Sequence, residues 1–560
     1  MDAMLPCQRF HPVSLLLLTG LLVLGAGSCA VKPAPQPETL RPAAALPALT
    51  PPRLVLLVVI DQARGDLFDR FGPVLTGGLA RLNREGVVFT QARHDHARTL
   101  TAPGHASLAT GLHPSHHGVI GNRWFDRNTG SLQYCVEDPV HERSPALLQG
   151  STLGDWLKDH EPEAHVHAIA GKDRAAILMG GHAADGAYWF DDGTGDFISS
   201  TYYAPDVPPW LTAFNERKVS DVMFGQTWEP LPVDMALLTQ PVVNLDEGPF
   251  STRFPRALGN RSTIPGPGFY SDIYESPFLD RAVFLLARDL VTQEGLGTHD
   301  HTDLLAIGLS ALDMVGHVFG PDSPEYLDTV LRLDRELGEL FAFLEDHIGG
   351  DGVMVALSSD HGVLPIPESP TLHGEPGRHF TTSDVTCLQN AGRHLTDGLS
   401  QGDWLLSDGY LNRDLITAEG LDEAQVERAM ADILEGCVAV EKVWTRDELR
   451  PEEPSPHPLT ALVINNTHPQ RSPDLFLQLK PGVLGWIGRG TTHGSPYEYD
   501  RHVPMVIMVP GDAPQQVNRP VRTVDLAPTL AAIMGLTPPD GLDGRNLSPW
   551  LIPSGEEQPD

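Results

Sequence analysis

Three aspartates and three histidines stand where chemistry could gather: Asp61; Asp313 with His317; Asp360 with His361; and a late His493 in the phrase GTTHGSP. Carboxylate oxygen and imidazole nitrogen are donors that Zn2+ accepts, and a catalytic ion takes about three protein ligands and keeps one position open. Six such side chains suffice for two ions. Asp313 and His317 are four residues apart, so one helical turn would aim both at a single ion. Asp360-His361 needs an irregular loop, and Gly362 behind it permits one. A lone Asp-His pair is more often a hydrogen-bonded loop feature. Several of them after apolar runs weigh against that reading.

A hydroxyl that could use such ions lies in residues 98–111, RTLTAPGHASLATG. Pro103 and Gly104 follow Thr101, and small residues lead to Gly111. This reads as a short helix with proline in its first turn. Thr101 then lies at the helix N-terminus, where free N–H groups and the dipole favour an anion. As an N-cap the threonine would be ordinary. As a nucleophile it needs a base or a metal to lower its pKa, as zinc does for water, from about 15.7 to about 7.

The elements that must position these residues are legible in outline. Residues 54–60, LVLLVVI, form an unbroken apolar run that ends on Asp61. A run without alternation predicts a strand covered on both faces, as in a parallel sheet. The plan recurs at 165–171 before Lys172, at 304–309 before Asp313, at 353–357 before Asp360, and at 504–510. Helical patterns lie between, among them one opened by Ser323-Pro324-Glu325. The expected fold is α/β: a doubly wound, mostly parallel central sheet with helices on both faces. Ligands of such sheets bind at the carboxyl ends of the strands. Segments near 205–275 and 366–485 interrupt the pattern and read as inserted cap segments, the second with a helix over 422–435.

Apolar residues make up 41% and charged residues 20%, which is a globular composition. The formal charge of −34 argues against a broad surface for nucleic acid. An anionic substrate would have to be attracted locally, by metal ions, a few cations or a helix N-terminus. Residues 1–28, with the apolar run 14–24 and the small residues GAGSCA, read as an export signal. Ala26-Gly-Ser-Cys29 resembles a lipoprotein box and would anchor a lipid at Cys29. Alanine stands where such boxes carry leucine, so soluble export to the periplasm or envelope is the other reading. A Pro/Ala linker follows over 29–52, then a catalytic domain over 53–551 and a tail over 552–560. Cys135, Cys387 and Cys437 allow one disulfide, and the sequence does not choose the pair. No protein partner is indicated, and the oligomeric state stays open.

The ordered set Asp61-Gln-Ala-Arg, Thr101-Ala-Pro-Gly-His, His117-Gly-Val-Ile-Gly-Asn122-Arg-Trp, Lys172-Asp-Arg174, Asp313 with His317, Ser359-Asp-His-Gly362 and Thr492-His-Gly494 resembles the alkaline phosphatase superfamily. Within it the set is most similar to secreted bacterial alkaline phosphatases with a threonine nucleophile, relatives of the nucleotide pyrophosphatase/phosphodiesterases. The resemblance runs from about Leu54 to Leu551. It implies a phosphate monoester hydrolase with two Zn2+, other divalent ions being admissible. Asp313, His317 and His493 would hold one ion, and Asp61, Asp360 and His361 the other. Thr101 would form a phosphothreonine intermediate. Asn122, Lys172 and Arg174 would contact the phosphoryl oxygens of a dianionic substrate, with Lys172 and Arg174 projecting the same way from a strand end. His94, His96, His105, His113, His116 and His117 lie outside the implied ligand set and read as structural. Two other readings stand beside this one: a phosphodiesterase of the same superfamily, and an inactive envelope protein that binds phosphate or metal. A sulfatase would need Cys or Ser where Thr101 stands.

Overall fold

Seven consecutive buried residues with no polar alternation need apolar cover above and below, and β1 (Leu54–Ile60) has it. Leu54, Leu56, Val58 and Ile60 face one apolar core, while Val55, Leu57 and Val59 face another on the opposite side of the sheet. At roughly 1.5–3 kcal/mol for each fully buried large aliphatic side chain, this strand is a poor candidate for movement. It ends on Asp61.

The computed structural model describes residues 51–242, 254–259, 263–367, 377–393, 402–450, 452 and 454–551. The expected leader, the Cys29 box, most of the linker and the tail lie outside the described residues. Eight more strands join β1: β2 (Val87–Arg93), β3 (Val166–Ala170), β4 (Gly186–Phe190), β5 (Phe197–Ile198), β6 (Asp303–Leu309), β7 (Val353–Ser358), β8 (Val506–Met508) and β9 (Gln515–Arg522). Their order across the sheet is β9-β2-β8-β7-β1-β6-β3-β4-β5. The central strands β7, β1, β6, β3 and β4 are mutually parallel. β8 runs against both its neighbours, and β5 runs against β4. The apolar run at 504–510 is therefore a strand, but a reversed one; composition does not encode direction.

Helices cover both faces, as a doubly wound sheet requires. On one side α1 (Thr101–Thr110), α2 (Asp173–Gly180) and the helix Leu526–Met534 bury their apolar residues. On the other lie α3 (Phe278–Glu294), α4 (Ala311–Phe319) and α5 (Pro324–Ile348). Ser323 caps α5 by accepting the Tyr326 N–H at 3.1 Å, with Pro324 at the first helical position. The helix Glu423–Glu435 is capped by Asp422. It packs, with the ladder formed by Val440–Thr445 and Leu475–Leu479, around a separate apolar cluster containing Trp404, Met430 and Leu475. A Cys387–Cys437 disulfide closes that region, and Cys135 is a buried free thiol.

Candidate active site

Since β1, β3, β6 and β7 are parallel, the residues that follow them meet at one edge of the sheet. Asp61 follows β1, Lys172 follows β3, α4 with Asp313 and His317 follows β6, and the loop with Asp360 and His361 follows β7. His493 arrives on a loop far along the chain. The ligand atoms of Asp61, Asp360 and His361 lie within 4.8 Å of one another, and so do those of Asp313, His317 and His493. The rings of His361 and His493 stack with centroids 3.4 Å apart, so the two triads adjoin.

The histidines are oriented in a common way. Each Nδ1 faces a backbone carbonyl, Thr491 at 2.9 Å for His317, Gly362 at 3.0 Å for His361 and Thr99 at 2.8 Å for His493. A carbonyl can only accept, so Nδ1 carries the proton and Nε2 is turned inward. Metal-ligating imidazoles are usually held in this manner. His317 Nε2 lies 3.1 Å from Asp313 Oδ1, and His493 Nε2 lies 3.5 Å from the same oxygen. His361 Nε2 lies 3.3 Å from both Asp61 Oδ1 and Asp360 Oδ2. Those three buried atoms, His361 Nε2, Asp61 Oδ1 and Asp360 Oδ2, have no hydrogen-bond partner among the described residues. Buried polar groups seldom go unsatisfied. The donor set, its orientation and its orphaned atoms fit divalent cations.

Lys172 departs from the expected arrangement. Its Nζ donates to Asp61 Oδ2 and to Asp313 Oδ2, each at 2.5 Å, and so links the two triads. Arg174 instead donates from Nη2 to Thr101 Oγ1 at 3.5 Å and from Nη1 to the Tyr134 hydroxyl at 3.4 Å. The pair does not project from a strand end in one direction. A helix begins at Asp173, and its turn rotates Arg174 away from Lys172.

Electrostatics follow from this crowding. Burial and the charge of Asp313 push Asp61 up, yet Lys172 and His361 hold it below the usual carboxylate range. Burial also opposes the charge of Asp313, which His317 and Lys172 keep well below that range. Burial and Asp61 together raise Asp360. Against burial, Asp360 and Asp61 raise His361 to about 9. Burial and the neighbouring His361 hold His493 well down.

Thr101 is the first residue of α1 and only 1% exposed. Leu100 occupies the N-cap, and no side chain caps this helix. The threonine hydroxyl is thus not spent as a cap. Asn122 Oδ1 accepts the Ala102 N–H at 2.9 Å, which fixes the asparagine against the same helix end. Gly104 lets α1 approach the metal-ligand loop: a Cβ there would lie 2.2 Å from the Asp360 carbonyl oxygen. A cavity of about 770 Å3 opens beside this group, lined by Asn122, Arg174, Arg98, Arg123, Trp124 and Tyr134 among others.

Gln62 is a site residue that sequence reasoning missed. It is buried with φ 69°, in the left-handed region. Its N–H donates to Asp360 Oδ1 at 3.1 Å and its Nε2 to Asp313 Oδ1 at 2.5 Å, so it spans the two triads. Its adjacency to Asp61 was the available signal. The surrounding histidines have structural partners for the most part. His94 Nε2 meets the Ser359 carbonyl, His117 Nε2 meets the Ser107 hydroxyl, and His113 and His116 meet Asp543. His105 comes nearer the site, with Nδ1 2.9 Å from the Thr101 carbonyl and 3.3 Å from Asp360 Oδ2.

Comparison with known proteins places this arrangement among relatives. The type I phosphodiesterase / nucleotide pyrophosphatase family matches residues 55–493. Alkaline phosphatase PhoK of Sphingomonas sp is 35% identical over 533 residues, covering 89% of this chain and 91% of that protein. A protein of Myroides odoratus named calcium-transporting ATPase is 33% identical over 518 residues, covering 88% and 93%. Alkaline phosphatase PafA of Elizabethkingia meningoseptica is 31% identical over 532 residues, covering 90% and 95%. The crystal structure of wild-type PafA superposes with a TM-score of 0.79 at 30% identity, over 90% of this chain and 99% of that one. A PafA variant changed at one threonine, one asparagine, one lysine and one arginine superposes with a TM-score of 0.78. Its threonine and asparagine, and its lysine and arginine, have the same spacings as Thr101 to Asn122 and Lys172 to Arg174.

Proposed function

Because the chain belongs to the type I phosphodiesterase / nucleotide pyrophosphatase family, we propose that it hydrolyses phosphate monoesters, as an alkaline phosphatase whose nucleophile is Thr101. The carrying observation is the buried Thr101 hydroxyl, free of any capping role and 3.5 Å from Arg174 beside two Asp/His triads. The alkaline phosphatases among its relatives support the reading.

Divalent cations, one held by Asp313, His317 and His493 and the other by Asp61, Asp360 and His361, would supply Lewis acidity and lower the pKa of the attacking hydroxyl. We assign zinc to both, because the donors are imidazole and carboxylate. Thr101 Oγ1 gives up its proton to water and bonds to phosphorus as the bond to the leaving-group oxygen breaks, and that oxygen takes a proton from water, so the alcohol leaves with no net change in protons. Water then attacks the phosphothreonine, releasing phosphate and restoring the hydroxyl. Arg174, always charged and half-buried, offers a planar fork to the nonbridging oxygens of a dianion. Its Nε has no partner among the described residues, which leaves donor capacity for substrate. Asn122 Nδ2 is a second donor, since its Oδ1 is engaged by α1. Lys172 offsets the charge of Asp61 and Asp313 and is the third contact, and the second cation, assigned to the phosphoryl group. The cavity of about 770 Å3 receives the leaving group. The four matching substitutions in the PafA variant support this assignment.

We also assign residues 1–28 as an export signal, with Cys29 as the residue a lipid would modify; cell fractionation with and without Cys29→Ser tests both. Turnover of p-nitrophenyl phosphate and bis-p-nitrophenyl phosphate, before and after chelation, tests the activity. Monoester preference lost on chelation is expected. Diester preference would favour a phosphodiesterase, and no turnover would favour a binding protein.

A further inference from the structure

The amino ends of the same central strands carry a second histidine cluster. His165 precedes β3 and His167 lies within it, Glu294 closes α3, and His299 and His301 lead into Asp303, the first residue of β6. The ligand atoms of His165, His167 and Glu294 lie within 4.8 Å of one another, as do those of His299, His301 and Asp303. The His165 ring sits 4.7 Å from that of His299, which stacks 4.8 Å from that of His301. The two groups therefore form one patch.

His167 is the telling member. It is 2% exposed, and neither ring nitrogen has a hydrogen-bond partner among the described residues. Hydrogen bonding gives no return for its desolvation. Tyr188 stacks on the ring without satisfying either nitrogen. Glu294 donates nothing when ionised; its Oε1 accepts from Trp210 Nε1 at 2.6 Å, and a carboxylate has acceptor capacity beyond that one bond. Asp303 is committed elsewhere. Its oxygens accept the N–H groups of His165 and Gly297 at 2.8 Å each and lie 3.1 Å from His299 Nδ1, which orients that ring.

We propose that this patch binds one divalent transition-metal cation of the zinc class, held by His165, His167 and Glu294, with His299, whose ring lies 4.7 Å from that of His165, as the adjacent imidazole that closes over it. Three imidazoles and a carboxylate form a donor set for zinc, whereas magnesium and calcium take oxygen ligands. A ligating imidazole must offer an unprotonated nitrogen, and both nitrogens of His167 are without a hydrogen-bond partner among the described residues. The Asp303–His299 contact is the outer support that ligating histidines commonly have. The ion would tie the start of β3, the end of α3 and the entry to β6 together. The hydroxyls beside the patch, those of Thr298 and Thr302, donate to the carbonyls of Gly295 and Pro52, so its role is structural and independent of phosphoryl transfer.

The test is a zinc count on the full chain. Wild type, His165→Ala/His299→Ala and the milder His299→Gln are equilibrated with the same buffered free Zn2+, separated from unbound metal and measured by mass spectrometry. The double variant is expected to carry one zinc fewer per chain, with p-nitrophenyl phosphate turnover unchanged and a smaller zinc-dependent rise in Tm. His299→Gln is expected to weaken zinc retention at low free metal while folding normally. Equal zinc counts and equal zinc-dependent Tm shifts in all three proteins would overturn the proposal and leave a cluster of neutral histidines only. Equal protection by Mg2+ would also overturn it. A zinc lost together with turnover would assign that ion to the carboxyl-end site instead.

Discussion

The two ends of one parallel sheet use the same side-chain types for different ends. At the carboxyl end, three aspartates are crowded against Lys172 and three histidines, with Thr101, Asn122 and Arg174 beside them. At the amino end, imidazoles dominate, one carboxylate is engaged by a tryptophan and another by backbone N–H groups, and no nucleophile is at hand. Both can gather an ion. Only the first surrounds it with charge that could bind and turn over a phosphate dianion. Ligand type alone therefore does not make a catalytic site; the hydroxyl and the cationic donors placed next to the ligands do.

Breaking the carboxyl end should have the largest effect. Thr101→Ala is expected to lower kcat by on the order of 10^3 or more while zinc content and the circular dichroism spectrum stay near wild type. Normal turnover in that protein would sink the nucleophile assignment. Asp360→Asn or His361→Ala is expected to lose metal together with rate, by at least about 10^2, since ligand and support are removed at once; metal analysis of the purified variants reads this. Lys172→Ala/Arg174→Ala is expected to cost roughly 10- to 100-fold more on monoesters than on diesters, because the second negative charge is what the cations address. Comparable losses on both substrates would remove the argument for monoester preference.

A third histidine–carboxylate group, formed by residues that follow β2 and β9 in the chain, supplies a case in which the pairing itself explains the contacts. His113 lies 2.9 Å from Asp95 and 3.4 Å from Asp543. Burial opposes its charge, but Asp543 and Asp95 raise it to about 9. A raised folded-state pKa gives stability that is fully present below the unfolded value of about 6.5 and is lost as pH climbs through about 9. Denaturant unfolding at pH 6, 7.5 and 9.5 should show a decline of order 1–3 kcal/mol in wild type, flattened in His113→Gln. An identical decline in both proteins would assign the pH dependence to other groups.

The frame of the carboxyl end was legible because its strands are buried on both faces, so Leu54–Ile60 reads as an unbroken apolar run and Asp61 marks its end. Asp313 and His317 were legible because helical spacing aligns them on α4. Gln62 was not, since a neutral amide carries no spacing signal and its left-handed backbone arises from the turn it occupies. The position of Lys172 was missed because its direction depends on the helix start at Asp173. Composition could not show that β8 is reversed, nor that Cys387 rather than Cys135 meets Cys437. The amino-end histidines were invisible for another reason. His165 and His167 follow the ordinary alternation of a strand; His299 joins them through the pairing of β3 with β6, and Glu294 through the packing of α3 on those strands.

The stereochemical course at phosphorus tests the central claim most directly. Hydrolysis of a monoester made chiral with oxygen isotopes should proceed with net retention, because transfer to Thr101 and then to water are two in-line displacements. Net inversion would mean that water attacks the substrate directly and would contradict a phosphothreonine intermediate.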